Sequence, residues 1–587
     1  MRAHSVAYTP ALTEILFLLD KVTRWADVFT LEAYAAVDAA TARGALIAGA
    51  RFAAEILAPT NAIGDEEGAQ LIGGRVYLPA AIRAAFARFV ADGWPGFDLP
   101  ERYGGQGLPL VAQVAFAEMI DGANVAFGML PIMLRAAAWL LLEHGTPQLI
   151  EQVVPRLVSG EWAATICISE AQAGSDVGRI TTLAQPHGEC YALIGTKTWI
   201  SYGDHDLTTQ AVHMVLARTP EAPAGTRGLS LFLVPRLKFD TGAINGWSVT
   251  RLERKLGLHA SPTCVLNFDG AIGYRIGPLH QGLRCLFTMV NLMRLEVSIQ
   301  GLGIAEAAAD KAMRYAGFRR QGGPLDAPPI PIIEHRDIRR LLLSMQARIR
   351  PLRALILEVA LNLDLARHAP SAAAREAALE FAEFMLPVCK TCAAETAFNV
   401  SSDAVQVAGG FGYTREAGIE QHLRDSRIMA IYEGTSGIQA VDLMSRKLLK
   451  DGGARYRRFT ARIRQDLAVQ ADSELPGVAA ALKQLLSSLD EVTSGLLAAG
   501  VPNAAQIEGA ASDYLQLVGL VACGWMWLRM LANNDASDAG KLRRTCGEFY
   551  MTYYAPLATV LCARIEYAPA VIERAAPGLF ALDGLDP

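Results

Sequence analysis

The sequence is short of charge and has no excess of either sign. Charged residues fill 19% of its 587 positions, and 54 basic against 59 acidic residues leave a net charge of −5. Binding duplex nucleic acid takes a broad basic face, which is missing here. The one basic cluster, Arg455, Arg457, Arg458, Arg462 and Arg464, reads as a solvated helix face. A disulfide framework is lacking too, since the nine cysteines are odd in number and scattered. Cys389 and Cys392 form a lone CxxC with no second pair to complete a zinc site, so they read as core thiols and no metal is expected. No long apolar run goes unbroken. Tyr514 to Leu528 is bounded by Asp513 and Arg529, Phe549 to Ala563 contains Pro556, and Ala126 to Leu142 contains Pro131 and Arg135. A membrane-spanning helix needs ~20 apolar residues, so all three are expected to be buried bundle segments. No secretory signal pattern opens the chain, and Gly584-Leu585-Asp586-Pro587 is not a peroxisomal address; a cytoplasmic location is expected. Nor is there a GxxxxGK[ST] loop, an HExxH, a GxSxG elbow or a strand-borne GxGxxG, which sets aside P-loop, zincin, α/β-hydrolase and Rossmann chemistry.

What is present is apolar and helical. Hydrophobic residues make up 52% of the chain, too many for disorder, and at about 150 residues per domain the length predicts three to four domains. Helical spacing fills residues 1–160. Short β-branched or aromatic runs then mark a β domain over 161–280: Cys190 to Ile194, Val212 to Leu216, Leu229 to Val234 and Cys264 to Phe268. Helical spacing returns over 281–450, and the Asp451-Gly452-Gly453 linker leads to a last helical segment, 455–587. The predicted fold class is mainly α with a central β domain, in the order α, β, α, α.

Three segments could carry chemistry. In Cys167-Ile168-Ser169-Glu170-Ala171-Gln172-Ala173-Gly174-Ser175-Asp176, small residues and hydroxyls suit a loop lying against a flat ligand. An ordinary helix-to-strand turn would look the same. In Gly195-Thr196-Lys197-Thr198-Trp199-Ile200-Ser201, Trp199 at a strand end could stack on an aromatic cofactor, with Ser201 on the same face by pleat alternation; a core tryptophan is the plainer reading. In Ala430-Ile431-Tyr432-Glu433-Gly434-Thr435-Ser436-Gly437, a glutamate stands among apolar neighbours. Burial would make it a stronger base, although it could instead cap the helix that follows.

Together these segments resemble the acyl-CoA dehydrogenase family over about residues 80–449. Further marks are Tyr103-Gly104-Gly105-Gln106-Gly107, Arg319-Arg320-Gln321-Gly322, Glu334-His335, Gln406-Val407-Ala408-Gly409-Gly410 and Arg424-Asp425. The start, Tyr8-Thr9-Pro10 through Leu16-Phe17-Leu18, and the added C-terminal helical domain resemble the family's long bacterial branch. The resemblance implies FAD as cofactor and an acyl-CoA thioester as substrate, with 3-methylmercaptopropionyl-CoA or another short or medium acyl-CoA indicated by the branch. Glu433 matches the catalytic base, and Gly434 lies against the thioester. Arg294, with Asn291, matches the position beside base and substrate. Ile166, Ile168, Ser169, Gly174 and Ser175 match the loop along the flavin, Ser175 also nearing the CoA moiety. Trp199 and Ser201 match the segment covering the rest of the flavin. Arg319 and Gln321, with His335 nearby, match positions reaching the neighbouring subunit's FAD. Gln406, Gly409 and Gly410 match a second such contact, and Thr435 and Gly437 close the cofactor site.

Some relatives carry the base on the earlier helix, just before the arginine; Met293 stands there and cannot accept a proton. Departures from the family pattern are Ile166 for an aromatic, Ala171 for a proline, and Gly437 for a polar residue. The implied reaction is removal of the α-proton by Glu433 with hydride passing to flavin N5, giving trans-2-enoyl-CoA, and electron-transfer flavoprotein as the next acceptor. An oxidase using oxygen and a non-catalytic, DNA-associated relative share the fold; Glu433, Arg294 and the acidic net charge argue against the latter. With the added domain over a surface shorter relatives use to form tetramers, a homodimer is expected.

Overall fold

The computed structural model describes residues 8–470, 475–498 and 504–575; Gly584 to Pro587 lie outside them. The N-terminal helical block carries α1 (Ala80–Ala91), α2 (Leu110–His144) and α3 (Pro147–Val158). α2 runs through Pro131 and Arg135, where the sequence suggested interruption. Its break lies at Asn124, whose φ of −161° and ψ of 95° leave the helix. The Asn124 side chain accepts the Phe127 N–H at 3.1 Å, starting the second half as an N-cap starts a new helix. Arg135 is buried, held by Asp98 at 2.7 Å and by Glu296, so its charge does not interrupt the apolar run. Asp364, from a later helix, caps the start of α2 by accepting the Leu110 and Val111 N–H groups at 2.9 Å each.

The β domain has seven strands: β1 (Trp162–Cys167), β2 (Leu183–His187), β3 (Cys190–Ser201), β4 (Gln210–Arg218), β5 (Leu229–Pro235), β6 (Trp247–Leu252) and β7 (Thr263–Ile276). Their order is β1-β4-β2-β3-β7-β5, with β6 on β7, and β4 also pairs with β5 to close the sheet on itself. The four runs seen in the sequence are β3, β4, β5 and β7. β1, β2 and β6 were not seen: WAATIC is alanine-rich, LAQPH carries a proline and a histidine, and WSVTRL is half polar. β1, β4 and β5 are buried along nearly their whole length, so they read as apolar runs without alternation.

The next block holds α4 (Gly282–Phe318), α5 (Arg336–His368), α6 (Ala372–Ala408), the short α7 (Glu420–Ser426) and α8 (Ser436–Val441), which continues as a widened turn over Asp442–Leu449. The added domain comprises α9 (Ala454–Val469), α10 (Pro476–Ala498), α11 (Ala504–Ala532), α12 (Asp538–Phe549) and α13 (Leu557–Arg574). It is fastened to the bundle by Trp527 Nε1, which donates to the Ala347 carbonyl at 3.1 Å, and by Arg529 on Glu358 at 2.8 Å.

Two expectations change. The arginines of α9 are not simply a solvated face. Arg455 pairs with Glu383 at 2.9 Å, Arg458 with Glu380, Arg462 with Glu358 and Arg464 with Asp490 at 2.6 Å, so most of the cluster clamps the added domain to α5 and α6. Secondly, three helical stretches are long and apolar enough to cross a membrane by length and composition: Leu110–His144, Ile507–Ala532 and Asp538–Arg574. The apolar windows of the first two are 89% and 83% buried inside the fold, as bundle segments should be. The third is only 28% buried, because α13 rests on the domain by one face and leaves Leu557, Val560, Tyr567 and Val571 exposed. Cys389 is buried and both CxxC thiols are free; among the described residues no group of side chains could hold a metal ion.

Candidate active site

α7 and α8 are joined by a turn in which two successive residues take left-handed backbone: Glu433 at φ 52° and Gly434 at φ 91°. An L-residue with a side chain pays for that conformation with ~1–2 kcal/mol, so the turn must be held from outside. Three contacts hold it. Thr435 caps α8 by accepting the Ile438 N–H at 3.2 Å, Gln439 Nε2 donates to the Glu433 carbonyl at 3.1 Å, and Lys390 Nζ donates to the Gly434 carbonyl at 2.6 Å. Because Thr435 is the cap, the alternative role for Glu433 falls away and its carboxylate is free. Among the described residues no hydrogen bond reaches that carboxylate, and the Glu433 N–H meets no acceptor. The side chain keeps part of its surface open while protein packs closely around it. Burial raises its carboxyl above the ordinary range, opposed first by Arg294 and then by Lys390. Arg294, on α4, is tied to Asp442 at 3.3 Å, and its Nε is buried without a partner. Asn291 lies one turn earlier on α4, half-exposed, and Met293 is buried. Tyr432 turns the other way, its hydroxyl on Gln300 Oε1.

The loop after β1 follows a strand, not a helix as the plainer reading had it. The Ile166 side chain is packed in the core, leaving only its backbone for a ligand. Beyond it Glu170 is the anchor. Its carboxylate accepts from the N–H and hydroxyl of both Thr181 and Thr182, from Gln172 Nε2 at 2.6 Å and from Lys197 Nζ at 2.8 Å. Desolvation would raise this carboxyl, but Lys197 and the hydrogen bonds hold it down at about 2. Lys197 also donates to the Ile168 carbonyl at 2.9 Å, and Thr198 N–H donates to the Ser169 carbonyl at 2.9 Å. The loop is thereby pinned to β3 on both sides of Ser169, while Gly174 and Ser175 stay exposed.

Trp199 is where the structure separates two readings. Along β3 the residues Leu193 and Lys197 are buried, and simple alternation would bury Trp199 as a core residue. A register shift between Lys197 and Ile200, with Trp199 at φ 63°, resets the pleat. Ile200 takes the buried position and the indole is 61% exposed, on the outer side with Ser201. Unbroken alternation would have put both residues on the buried side; the bulge turns both outward.

An exposed indole, the pinned loop at Ser169 beside it and the buried, unpartnered hydroxyl of Thr198 between them fit a flavin ring system. The remaining expected contacts lie elsewhere in this chain. Arg319 donates to Gln321 Oε1 at 3.2 Å and His335 contacts the Gln321 carbonyl at 2.8 Å, all at the exposed end of α4. Gln406, Gly409 and Gly410 are exposed at the end of α6, and Tyr315 stacked on Phe411 at 5.7 Å brings the two helix ends together. No hydrogen bond among the described residues joins this face to Ser169, Trp199 or Glu433. Gly437 is exposed on the first turn of α8, with nothing nearer than 3.9 Å to an added Cβ.

Sequence reasoning missed Lys390, Gln439 and the Glu170–Lys197 pair. The signal for Lys390 was present: a single charge in Pro387-Val388-Cys389-Lys390, the same oddity that drew attention to Glu433.

Four family models match the chain in order: the acyl-CoA dehydrogenase N-terminal domain over 48–161, the middle domain over 165–271, the C-terminal domain over 280–448, and an acetyl-CoA dehydrogenase C-terminal-like model over 459–573. Among curated relatives, 3-methylmercaptopropionyl-CoA dehydrogenase of Ruegeria pomeroyi is 39% identical, over 89% of this chain and 90% of its own. Among solved structures, Caenorhabditis elegans ACDH-11 in complex with C11-CoA matches in fold at a TM-score of 0.80 and 19% identity, covering 100% of this chain and 98% of that one. A structure described as the electron transferring flavoprotein of Acidaminococcus fermentans matches at a TM-score of 0.59 and 25% identity, over 70% of this chain and 98% of that one.

Proposed function

The chain belongs to the acyl-CoA dehydrogenase family, and within that family's FAD-dependent oxidation of acyl-CoA to trans-2-enoyl-CoA we propose that Glu433 is the base that takes the α-proton. The observation that carries this is a carboxylate that meets no hydrogen-bond donor among the described residues, fixed on a turn held from three sides, with its proton affinity raised by burial. A general base works best with an affinity near the working pH, and burial moves Glu433 in that direction. The charge that develops as the proton leaves collects on the thioester oxygen, and a donor preorganised toward it is worth ~3 kcal/mol in analogous sites. The unpaired Glu433 N–H is such a donor. Arg294 is placed to keep the ionised carboxylate from becoming too costly. FAD, when bound, supplies the acceptor for the hydride that leaves the β-carbon. Trp199, Ser201, Ile168, Ser169, Gly174, Ser175, Thr435 and Gly437 are the residues of this chain that would hold it.

For the acyl group we favour 3-methylmercaptopropionyl-CoA or another short or medium acyl-CoA, on the strength of the Ruegeria pomeroyi relative. Electron-transfer flavoprotein is the proposed next acceptor. Anaerobic titration of the yellow protein against a panel of acyl-CoAs tests this: the flavin absorbance bleaches with one or more of them and recovers on adding electron-transfer flavoprotein. A flavin that no acyl-CoA bleaches would overturn the reading.

The face bearing Arg319, Gln321, Gln406, Gly409 and Gly410 also exposes Phe318, Phe411 and Tyr413. Aromatic residues beside arginine are the mark of a protein interface. We take it as the contact between two copies, each completing the other's FAD site, with the added domain limiting assembly to a homodimer. Light scattering should give a mass of two chains; a monomer that retains FAD would refute the shared site.

A further inference from the structure

We infer that Lys390 is a positioning residue for this reaction: its ammonium, anchored on the Gly434 carbonyl, fixes the Glu433–Gly434 turn and sets how tightly the Glu433 carboxylate holds a proton. The inference rests on Glu433 being the base.

Lysines on helices usually run their stems along the surface and leave the ammonium in water. Lys390, in the middle of α6, is fully buried, and its Nζ donates to the Gly434 carbonyl at 2.6 Å. No second acceptor meets it among the described residues. A buried ammonium bonded to one carbonyl is poorly compensated, so the ion it faces matters. Glu433 faces it from the turn, Arg294 from α4, and Glu395 from α6 itself. Glu433 in turn is faced by Arg294 and Lys390, and its charge bears on its neighbour Tyr432. The two cations differ in one respect. Arg294 has a carboxylate of its own, Asp442, at 3.3 Å, and Arg446 shares that same carboxylate at 3.4 Å. Lys390 has only a carbonyl, so its charge is directed at Glu433 and Glu395.

The geometry makes Lys390 titratable where arginine is not. Burial brings its pKa down to about 8, while Glu433 and Glu395 oppose the fall. Below that pH Lys390 is charged and favours ionised Glu433. Above it the charge is lost and Glu433 binds its proton more tightly. An opposite charge near a carboxyl favours its ionised form, so removing this cation should raise the proton affinity of Glu433.

The test is the pH profile of kcat for Lys390→Met and Lys390→Arg, measured on flavin-loaded protein beside its thermal midpoint and flavin content. In Lys390→Met the acid limb moves to higher pH, with a loss of rate on that limb, and the inflection near pH 8 disappears. Lys390→Arg keeps the charge and leaves the acid limb in place. A flavin-loaded Lys390→Met with an unmoved acid limb would overturn the inference. Should that variant fail to fold, Glu395→Gln decides instead: Glu395 is exposed, and its loss should move the inflection near pH 8 downward. An inflection that stays put in Glu395→Gln counts against Lys390. The two assignments fail separately, because an active Glu433→Gln removes the base itself, whereas an inactive Glu433→Gln beside an unshifted Lys390→Met removes only the role of Lys390.

Discussion

Glu433→Gln binds FAD as the native protein does and is no longer reduced by acyl-CoA. The amide keeps the size of the carboxylate and needs no change in the left-handed turn, because Gln439 and Lys390 grip main-chain carbonyls and not the side chain. The flavin loop is secured independently by Glu170 and Lys197, so cofactor retention has no reason to change. What disappears is proton acceptance. General base catalysis is worth 10²–10⁴-fold, and loss of the only base in the turn should lower the reductive rate by on the order of 10³-fold. Met293, on α4, offers no substitute. Stopped-flow reduction under anaerobic conditions reads the rate directly; undiminished bleaching would sink the assignment of the base.

Gly434→Ala should be the second most damaging change, although it touches no reacting atom. Its φ of 91° is strained for any residue with a Cβ, and the new methyl would stand 2.5 Å from Gln439 Nε2. That nitrogen is the far end of a side chain, and in the open it could simply swing aside. Here Gln439 is fully buried, and moving it breaks its bond to the Glu433 carbonyl. Either the glutamine or the turn must shift, and each displaces Glu433. A misplacement of ~1 Å in a reacting group costs about 10²-fold. We therefore expect kcat to fall about 10²-fold, with flavin content and thermal midpoint far less affected. A variant of native kcat would mean that Gln439 does not hold the turn.

The two variants illustrate how unevenly the site shows in the sequence. Glu433 stood out because a charge between apolar neighbours and a Gly-Thr-Ser-Gly turn is unusual. Gln439 did not, since a glutamine on an amphipathic helix looks like surface; only its burial against the Glu433 carbonyl gives it a role. Lys197 was visible as part of Gly195 to Ser201, but its partner Glu170 lies 27 residues earlier, and nothing local links them. Trp199 presented a choice between core and ligand that alternation alone would have decided wrongly. The bulge that turns it outward depends on the register between β3 and β7, which is a property of the pair of strands.

By itself the sequence determined the order of helical and β blocks, the family resemblance, and the identity of the proposed base. These depend on local periodicity, on turn residues and on a few side chains of distinct chemistry, all of which can be read along one chain. It also gave the reason no nucleic-acid face was expected, since net charge needs no coordinates. Tertiary structure decided the rest. It showed that Arg455, Arg458 and Arg462 of α9 serve as a clamp, because their carboxylates sit on α5 and α6, as far away in sequence as Glu358 is from Arg462. It put the apolar helix α2 inside the fold and left one side of α13 outside, a difference composition cannot express. Above all it placed Lys390 and Arg294, from two different helices, around the Glu433 carboxylate, which accepts no hydrogen bond among the described residues. Proton affinity is set by burial and by charges brought in from a distance, and those are fixed only when the chain has folded.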